Sequence, residues 1–195
     1  MNFQILKNSF GQFLNGPILI TPNIFGDSRG FFFESWNNSI WNDLLQNHGQ
    51  NPQSFVQDNH SCSYQGVLRG LHYQIAPKAQ GKLVRCILGE IYDVAVDLRK
   101  DSTTFGTWIG CNLSAENKNQ LWIPVGFAHG FLTISSKAEV LYKTTDFWGK
   151  ELERSLIWND PSIGIEWPSM SMEPILSSKD ELAPTLNKIN KEDLF

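Results

Sequence analysis

The chain has few cysteines and no long apolar run. Its 195 residues include three cysteines, which are widely spaced and form no Cys-x-x-Cys pair. An odd and scattered set of cysteines argues against the disulfide framework of a small secreted domain. No apolar stretch approaches the roughly 18 residues that a membrane-spanning helix needs, and the first residues lack the charged start and apolar run of a signal peptide. We therefore expect a cytoplasmic protein with reduced thiols and no membrane association.

Positive charge is also scarce. The sequence has 16 Lys and Arg residues against 20 Asp and Glu residues, which gives a formal net charge of −4 at pH 7. Domains that bind nucleic acid usually present a basic face, so we expect no nucleic-acid partner. A local basic pocket remains compatible with this composition, because a cleft can focus a field opposite in sign to the net charge.

Apolar and aromatic residues are abundant. Hydrophobic residues make up 41% of the chain and charged residues 18%, a composition typical of a domain with a buried core. The seven Trp and 13 Phe residues favour strands, and aromatic rings also line pockets that stack planar ligands. All-β domains often reach this length undivided, so we expect a single domain over residues 1–195.

Short apolar runs separated by turn residues dominate the middle of the chain, about residues 55–148. They recur at intervals of roughly 8–12 residues, which predicts many short strands. The clearest of these strands cover residues 66–74, 82–88, 91–98, 107–113, 120–123, 130–134 and 139–147. Within 91–98, apolar residues alternate with Asp93, Ala95 and Asp97, which predicts a strand buried on one face.

Shorter segments flank this strand-rich core. We expect N-terminal strands within about residues 1–35 and a helix over 36–48, where Ile40, Trp41, Leu44 and Leu45 have helical spacing. The extension over about 150–195 contains a helix start, because Ser178 and Glu181 have capping-box spacing. Many evenly spaced strands without intervening helices predict an all-β sandwich or jelly roll with a few short peripheral helices.

Two strand-like segments carry isolated polar residues that suit proton transfer on an anionic substrate. Residues 66–74 (GVLRGLHYQ) place Arg69 three positions before His72, and residues 80–85 (QGKLVR) supply Lys82. Residues 122–131 carry His129 in a similar apolar setting. A nearby lysine lowers the basicity of a histidine unless a carboxylate compensates. From the residues alone, His72 is either a core histidine or a general base, and its carboxylate partner is unidentified.

The four histidines do not have the spacing typical of metal-binding jelly rolls. The position two residues after His72 is Gln74, so the usual His-x-His pair is absent. A facial triad would have to combine His72, His129 and a carboxylate such as Glu90. We therefore expect no metal, and a metal-dependent enzyme of the same fold is kept as an alternative.

Seven sequence blocks occur together, in the same order, in one known family. They are residues 66–74 (GVLRGLHYQ), 80–85 (QGKLVR), 92–99 (YDVAVDLR), 113–118 (LSAENK), 123–131 (IPVGFAHGF), 141–143 (LYK) and 158–161 (WNDP). Through them the chain closely resembles the dTDP-4-dehydrorhamnose 3,5-epimerases over about residues 20–186, and the resemblance implies a cupin-type jelly roll. The chain departs from the usual pattern at Cys62 and Tyr64, where basic residues are common, and at Val125, where an acidic residue is common.

The resemblance also implies roles for individual residues. His72 matches the family's proton-abstracting base, Tyr142 the proton donor on the opposite face of the sugar, and Asp180 the carboxylate that pairs with the histidine. Lys82 matches the cation beside the ketone oxygen. The residues that match contacts to the nucleotide sugar are Arg29, Glu34, Gln57, Asp58, Asn59, Arg69, His129, Glu153 and Lys179. Taken one at a time, Tyr142 is better explained as a core phenol and Lys82 as a strand-edge charge, so the prediction depends on their joint occurrence.

The implied reaction is the epimerisation of a dTDP-4-keto-6-deoxy sugar at C3 and C5. Both hydrogens are α to the C4 carbonyl, so acid–base transfer through an enolate is sufficient and no cofactor is expected. The resemblance further implies a homodimer in which the segment from Arg29 to Glu34 serves the partner's cavity. Two alternatives stay open: an epimerase of a single carbon or a ketoisomerase on the same scaffold, and a non-catalytic module that binds nucleotide sugars.

Overall fold

The computed structural model describes residues 1–195 and consists mainly of antiparallel strands. The strands are β1 (Asn2–Lys7), β2 (Phe13–Thr21), β3 (Phe25–Asp27), β4 (Gly30–Phe32), β5 (Gln57–Tyr64), β6 (Leu68–Gln74), β7 (Lys82–Leu88), β8 (Glu90–Asp97), β9 (Trp108–Ser114), β10 (Gln120–Ile123), β11 (Phe127–Thr133), β12 (Lys137–Thr144) and β13 (Glu153–Ser155). The helices are α1 (Asn38–Asn47) and α2 (Ser178–Glu181), with single 3₁₀ turns at Lys150–Leu152, Leu186–Lys188 and Lys191–Asp193. Neither α-helix has the length and apolar character needed to cross a membrane.

The strands form two main sheets and one separate hairpin. One sheet has six strands in the order β1-β2-β10-β7-β12-β5, and the other has five in the order β13-β6-β11-β8-β9. Strands β3 and β4 pair only with each other. From β5 to β8, and again from β10 to β13, each successive strand lies in the opposite sheet. This alternation is the topology of a jelly roll, which confirms the predicted all-β class.

The main core lies between the two sheets. It is a cluster of 13 buried residues that includes Val84 and Val140 from the six-stranded sheet and Ile91 and Ile109 from the five-stranded sheet. Complete burial of an aliphatic side chain of this size contributes roughly 1.5–3 kcal/mol. Both sheets therefore depend on this layer, and polar groups placed within it are exceptional.

The outer face of the five-stranded sheet is covered as well, which corrects one prediction. Strand β8 was expected to be buried on one face, but Val94 and Val96 pack outward against Ile163 and other residues of the C-terminal segment. Asp93 faces inward and is completely buried. The alternation of residue types in β8 therefore separates two buried layers rather than a core from solvent.

Both helices begin with a capped residue close to the predicted position. Helix α1 starts at Asn38 because the side chain of Asn37 accepts from the backbone N–H groups of Ser39 and Ile40. The buried Trp41 and Leu45 of this helix pack on the outer face of the six-stranded sheet. Helix α2 is capped by Ser177, whose hydroxyl accepts from the backbone N–H of Asp180. The capping residue predicted at Ser178 is thus wrong by one position.

Candidate active site

A cavity of about 440 Å³ opens between the two sheets and collects most of the chemically interesting residues. Its lining comes from β5, β6, β7, β11, β12 and the segment around α2, and includes Arg69, His72, Lys82, His129, Tyr142, Lys179 and Asp180. A second cavity of about 270 Å³ shares His72, Lys82 and Tyr142 with it and adds Gln57, Asn59, Gln80, Trp148 and Glu153. The two cavities are therefore parts of one continuous site.

His72 faces this site because its strand alternates between the two layers. Leu71 and Tyr73 point outward into the cluster under the C-terminal segment, so His72 points inward. The neighbouring strand β11 approaches closely at this point: a Cβ on Gly70 would lie 2.5 Å from the Cα of Gly130. Two glycines thus allow the strands to meet with His72 directly opposite His129.

The imidazole of His72 is hydrogen-bonded to a carboxylate from the far end of the chain. Its Nε2 lies 2.5 Å from Oδ1 of Asp180, which is 3% exposed and also accepts from the Ser177 hydroxyl at 2.8 Å. Burial would raise the pKa of Asp180, but the hydrogen bonds and charge of His72, together with Ser177 and Lys179, hold this pKa below its ordinary value. An ionised carboxylate only accepts, so Nε2 carries the hydrogen and Nδ1 is left for the cavity.

The pKa of His72 itself is lowered. Burial is the main cause and outweighs the hydrogen bond and charge of Asp180, while the positive charges of Lys179 and Lys82 act in the same direction as burial. The imidazole is therefore neutral at neutral pH. A neutral, oriented imidazole with one free ring nitrogen is suited to accept a proton.

Lys82 brings a positive charge to the cavity from the opposite sheet. It is the first residue of β7, and its Nζ donates to the backbone carbonyl of His72 at 3.3 Å. Burial lowers the pKa of Lys82 to about 8, although the charges of Asp93 and Glu153 oppose this shift. At neutral pH the ammonium group therefore persists in a poorly solvated position, where it interacts strongly with a nearby negative oxygen.

Tyr142 also comes from the six-stranded sheet and faces His72 across the site. It lies on β12 between Val84 and Asn59 of the neighbouring strands, on the same face as the buried Val140. Burial raises the pKa of Tyr142, Glu153 adds to this effect and Arg69 opposes it. The phenol therefore keeps its proton at neutral pH and is available as an acid.

A second histidine–carboxylate pair, which was not predicted from the sequence, lies under the cavity. Nε2 of His129 is 2.9 and 3.1 Å from the two carboxylate oxygens of Asp93, and both side chains are buried. Asp93 was interpreted as part of a solvent-facing alternation. The one available signal was its position in residues 92–99 (YDVAVDLR), one of the blocks that resemble the family, and this block could not show that its face is the inner one.

Polar side chains line the rim of the site and are held by one another. Arg69 donates from Nε to the Ser63 hydroxyl at 2.9 Å and remains exposed. Nζ of Lys179 lies 2.9 Å from a carboxylate oxygen of Glu153. The amide of Gln57 donates to the side-chain oxygen of Asn59 at 2.9 Å. Cationic donors from Arg69 and Lys179 and amide donors from Gln57 and Asn59 therefore surround the mouth of the cavity.

Three of the predicted contact residues lie away from the cavity. Asp58 points to the outer face of β5, where it pairs with Lys143 at 2.9 Å, because its neighbours in the strand face inward. Arg29 is 87% exposed and pairs with Asp27 on the β3–β4 hairpin. Glu34 follows this hairpin and accepts from the side chain of Asn37 at 3.2 Å.

Trp148 is a site residue that sequence reasoning assigned no role. Its side chain is about half exposed at 54%, it lines the smaller cavity, and its backbone N–H donates to the side chain of Gln57 at 3.1 Å. A large exposed aromatic ring beside a polar cavity is suited to stack on a planar ligand. The adjacent pair Phe147 and Trp148, three and four residues after the end of β12, was the available signal.

The carboxylate considered as a third metal ligand lies outside the site of the two histidines. Glu90 lines neither cavity and accepts from the side chain of Asn112 at 2.8 Å. No group of three His, Cys, Asp or Glu side chains has the placement of a ligand set.

Known proteins are similar to this chain in sequence and in fold. The family model described as dTDP-4-dehydrorhamnose 3,5-epimerase matches residues 12–188. The enzyme of that name from Pseudomonas aeruginosa is 61% identical over 163 residues, covering 84% of this chain and 87% of the relative. The one from Salmonella typhimurium is 57% identical over 171 residues, covering 88% and 91%.

A solved structure is similar over nearly the whole length. The crystal structure of the dTDP-6-deoxy-D-glucose-3,5-epimerase from Legionella pneumophila, in complex with dTDP-4-keto-L-rhamnose, aligns with a TM-score of 0.89 at 46% sequence identity. The alignment covers 99% of this chain and 97% of that one. With the sheets, the cavity and these similarities in agreement, the chain belongs to the dTDP-4-dehydrorhamnose 3,5-epimerase family.

Proposed function

We propose that this protein inverts C3 and C5 of dTDP-4-dehydro-6-deoxy-D-glucose and so forms dTDP-4-dehydro-L-rhamnose, without a cofactor. The observation that carries the proposal is the placement of His72 and Tyr142 on opposite sheets, with both side chains lining one cavity beside Lys82. Inversion at carbon requires a base on one face of the sugar and an acid on the other. A cavity between two sheets offers one wall for each.

His72 is the base of the proposed mechanism. Its pKa is lowered mainly by burial, so the ring is neutral, and the hydrogen bond to Asp180 turns Nδ1 toward the substrate. The hydrogens at C3 and C5 are acidified by the neighbouring C4 ketone, and their removal leaves an enolate. Asp180 then stabilises the imidazolium that forms, as a buried carboxylate does beside a catalytic histidine.

Lys82 is the group that stabilises the enolate. Its ammonium group lies beside His72 and in a buried position, where a donor at a developing oxyanion contributes roughly 10²- to 10³-fold in rate. C4 is adjacent to both C3 and C5, so a single cation at the C4 oxygen serves both epimerisations. One base, one acid and one cation are then sufficient for the two steps.

Tyr142 is the proton donor on the opposite face. Burial raises the pKa of its phenol, so the hydroxyl holds its proton until the basic enolate carbon is present. Proton delivery to the face opposite His72 inverts the carbon, whereas return from His72 restores it. General acid–base catalysis of this kind contributes roughly 10²- to 10⁴-fold.

The rim of the site binds the nucleotide. Arg69 and Lys179 carry the positive charge that a diphosphate needs, and a guanidinium can bind phosphate through two parallel hydrogen bonds. His129, Glu153, Gln57 and Asn59 supply the remaining polar contacts to the sugar and base. Trp148 offers a flat apolar surface on which the thymine ring stacks.

We also propose that the protein acts as a homodimer in the cytoplasm. The β3–β4 hairpin exposes Phe25, Phe31 and Phe32 by more than half, a surface that a second copy would cover. Docking of this hairpin on a second copy would bring Arg29 and Glu34 to a nucleotide site that they do not reach within their own chain. The free cysteines are consistent with a reducing compartment.

Deuterium incorporation tests the proposed reaction. The protein is incubated with dTDP-4-keto-6-deoxyglucose in deuterated water, and the sugar is followed by NMR and mass spectrometry. We expect label at both C3 and C5, together with the inverted product. Label at C3 alone would identify a single-carbon epimerase, and binding of the sugar without any label would identify a non-catalytic module. In the His72→Asn control we expect no exchange but nearly unchanged binding of dTDP.

A further inference from the structure

Asp93 is a buried carboxylate in an apolar layer with a single protein partner. It is completely buried, it faces inward from β8 beside residues of the main core, and its hydrogen bonds come from Nε2 of His129. An uncompensated buried charge is costly, and such groups usually have several donors. A core built only for stability would place an apolar side chain here.

A second carboxylate on the same strand shows what a structural role looks like. Asp97 is also completely buried, but it accepts from the guanidinium of Arg99 and from the hydroxyls of Ser102 and Thr104. These contacts close the turn that follows β8. Asp93 closes no turn and caps no helix, so the reason for its charge lies in the groups that it faces.

The first of these groups is His129. Because an ionised carboxylate only accepts, Nε2 of His129 carries a hydrogen and the ring is held in one orientation. Nδ1 is then the atom that His129 presents to the cavity that it lines. The same arrangement is found for His72, which lies on the adjacent strand β6 and is hydrogen-bonded to Asp180 of α2. His72 and His129 stand directly opposite each other in the two strands.

The second group is Lys82, which lines the same cavity from the facing sheet. Burial lowers the pKa of Lys82 to about 8, and Asp93 is the strongest of the charges that oppose this shift. The other charged groups that act on its pKa are Glu153 from β13, which also raises it, and Lys179 from α2, which lowers it. The other titratable or charged groups that line the cavity with it are Arg69, His72, His129, Tyr142 and Asp180.

We propose that Asp93 is a positioning residue of this site, which fixes the orientation of His129 and places a negative charge behind the cavity that His129 and Lys82 line. The inference rests on the proposed epimerase function, in which His129 contacts the substrate and Lys82 stabilises the enolate. The fold itself does not require a charged side chain at this position of the core. Asp93 lines neither cavity and acts through these two side chains.

The variant Asp93→Asn tests the proposal, with Asp97→Asn as the matched control. Asparagine keeps the shape of the side chain but removes the charge, so we expect kcat to fall about 10- to 100-fold. The alkaline limb of the kcat–pH profile should move to lower pH by roughly one unit, because Lys82 loses its proton more easily without an opposite charge nearby. Asp97→Asn is expected to lower thermal stability and to leave the alkaline limb in place.

Two spectroscopic readouts do not depend on turnover. ¹⁵N NMR of the wild-type protein should show a hydrogen on Nε2 of His129, and the ¹³Cε signal of Lys82 should titrate at lower pH in Asp93→Asn. An unprotonated Nε2 in the wild type, an unmoved Lys82 titration, or an equal shift in Asp97→Asn would each overturn the proposal. If the wild type incorporates no deuterium, the epimerase function fails, while these two measurements still decide the role of Asp93.

Discussion

Replacement of Asp180 by asparagine tests whether this carboxylate sets the orientation and the tautomer of His72, the proposed base. Oδ1 of Asp180 accepts from His72 at 2.5 Å and Oδ2 from the Ser177 hydroxyl at 2.8 Å. The side chain is only 3% exposed, so water cannot readily replace the lost acceptor. Asparagine fits the same space but can present an N–H group to Nε2, which would move the ring hydrogen to Nδ1, the nitrogen that faces the cavity.

The expected loss follows from two contributions. A hydrogen bond to a charged group contributes about 1.5–3 kcal/mol, and each 1.4 kcal/mol corresponds to a factor of about ten. Loss of orientation alone therefore costs about 10- to 100-fold. A wrong tautomer adds to this loss, and the equivalent aspartate-to-asparagine change in a serine-protease triad costs about 10⁴-fold in kcat. We expect Asp180→Asn to lower the exchange rate at C3 and C5 by about 10²- to 10⁴-fold.

The pH profile separates this mechanism from simple unfolding. Below its pKa, His72 is protonated and cannot accept a proton, so this group sets the acid limb of the rate profile. Burial lowers the pKa of His72, and the hydrogen bond and charge of Asp180 are the influences that raise it. Without that charge the pKa falls further, so the acid limb should move to lower pH even as the rate drops. A destabilised protein would instead lose activity earlier on the acid side.

The measurement is the rate of deuterium incorporation at each carbon between about pH 4 and 9, with dTDP binding as a check on folding. Asp160→Asn is the control, because Asp160 is also a buried carboxylate of the C-terminal segment but binds Ser162 and the backbone of Leu186 outside both cavities. Near-wild-type exchange in Asp180→Asn with an unmoved acid limb would refute the assigned role.

Four further changes test other parts of the site. Lys82→Met should lower kcat about 10²- to 10³-fold with dTDP binding retained, and wild-type kcat should fall above pH 8 or so, because the pKa of Lys82 is lowered to about 8. Tyr142→Phe should allow deuterium exchange from the histidine side but prevent inversion, seen by NMR as label without epimer. Trp148→Ala should weaken dTDP binding about 5- to 150-fold by calorimetry, since stacking of a base on an aromatic ring is worth about 1–3 kcal/mol. Gly70→Ala should lower the free energy of unfolding in urea by about 1–3 kcal/mol or more, because its Cβ would lie 2.5 Å from the Cα of Gly130.

Each of these changes has a counterpart outside the cavity. Lys143→Met removes a lysine that pairs with Asp58 on the outer face. Tyr73→Phe removes a phenol that points into the outer cluster, and Phe147→Ala removes an exposed ring that lines neither cavity. A Cβ on Gly26 would meet nothing closer than 3.6 Å. Counterparts that behave like the cavity variants would contradict the assignments.

The positions of most strands along the chain were predictable, because each strand leaves a local signal of an apolar run between turn residues. Strands β7 and β10 have the predicted bounds, and β11 begins earlier than expected, at Phe127, directly after the turn at Gly126. What local pattern could not show is which face of a strand is covered. Strand β8 alternates like a surface strand, yet the C-terminal segment covers the side that Val94 occupies.

The site itself required more than local pattern. His72 and its carboxylate partner are separated by 108 positions, and no periodicity connects residues that far apart. Asp180 was therefore reached only through family resemblance, which carries long-range pairings that spacing does not. The same resemblance gave no indication that Asp58 faces away from its neighbours in β5, since strand alternation decides that direction.

The distribution of the site residues over the two sheets bears on which carbons are epimerised. Both histidines and the carboxylate Asp93 belong to the five-stranded sheet, whereas Lys82 and Tyr142 belong to the six-stranded sheet. In the proposed mechanism, proton removal and proton delivery therefore belong to separate walls, which the core between them holds apart. A change that re-aims the phenol on β12 leaves the base and its carboxylate undisturbed. In that mechanism the six-stranded sheet alone decides between a double and a single-carbon epimerase, since enolate formation is common to both and only the reach of the acid distinguishes them.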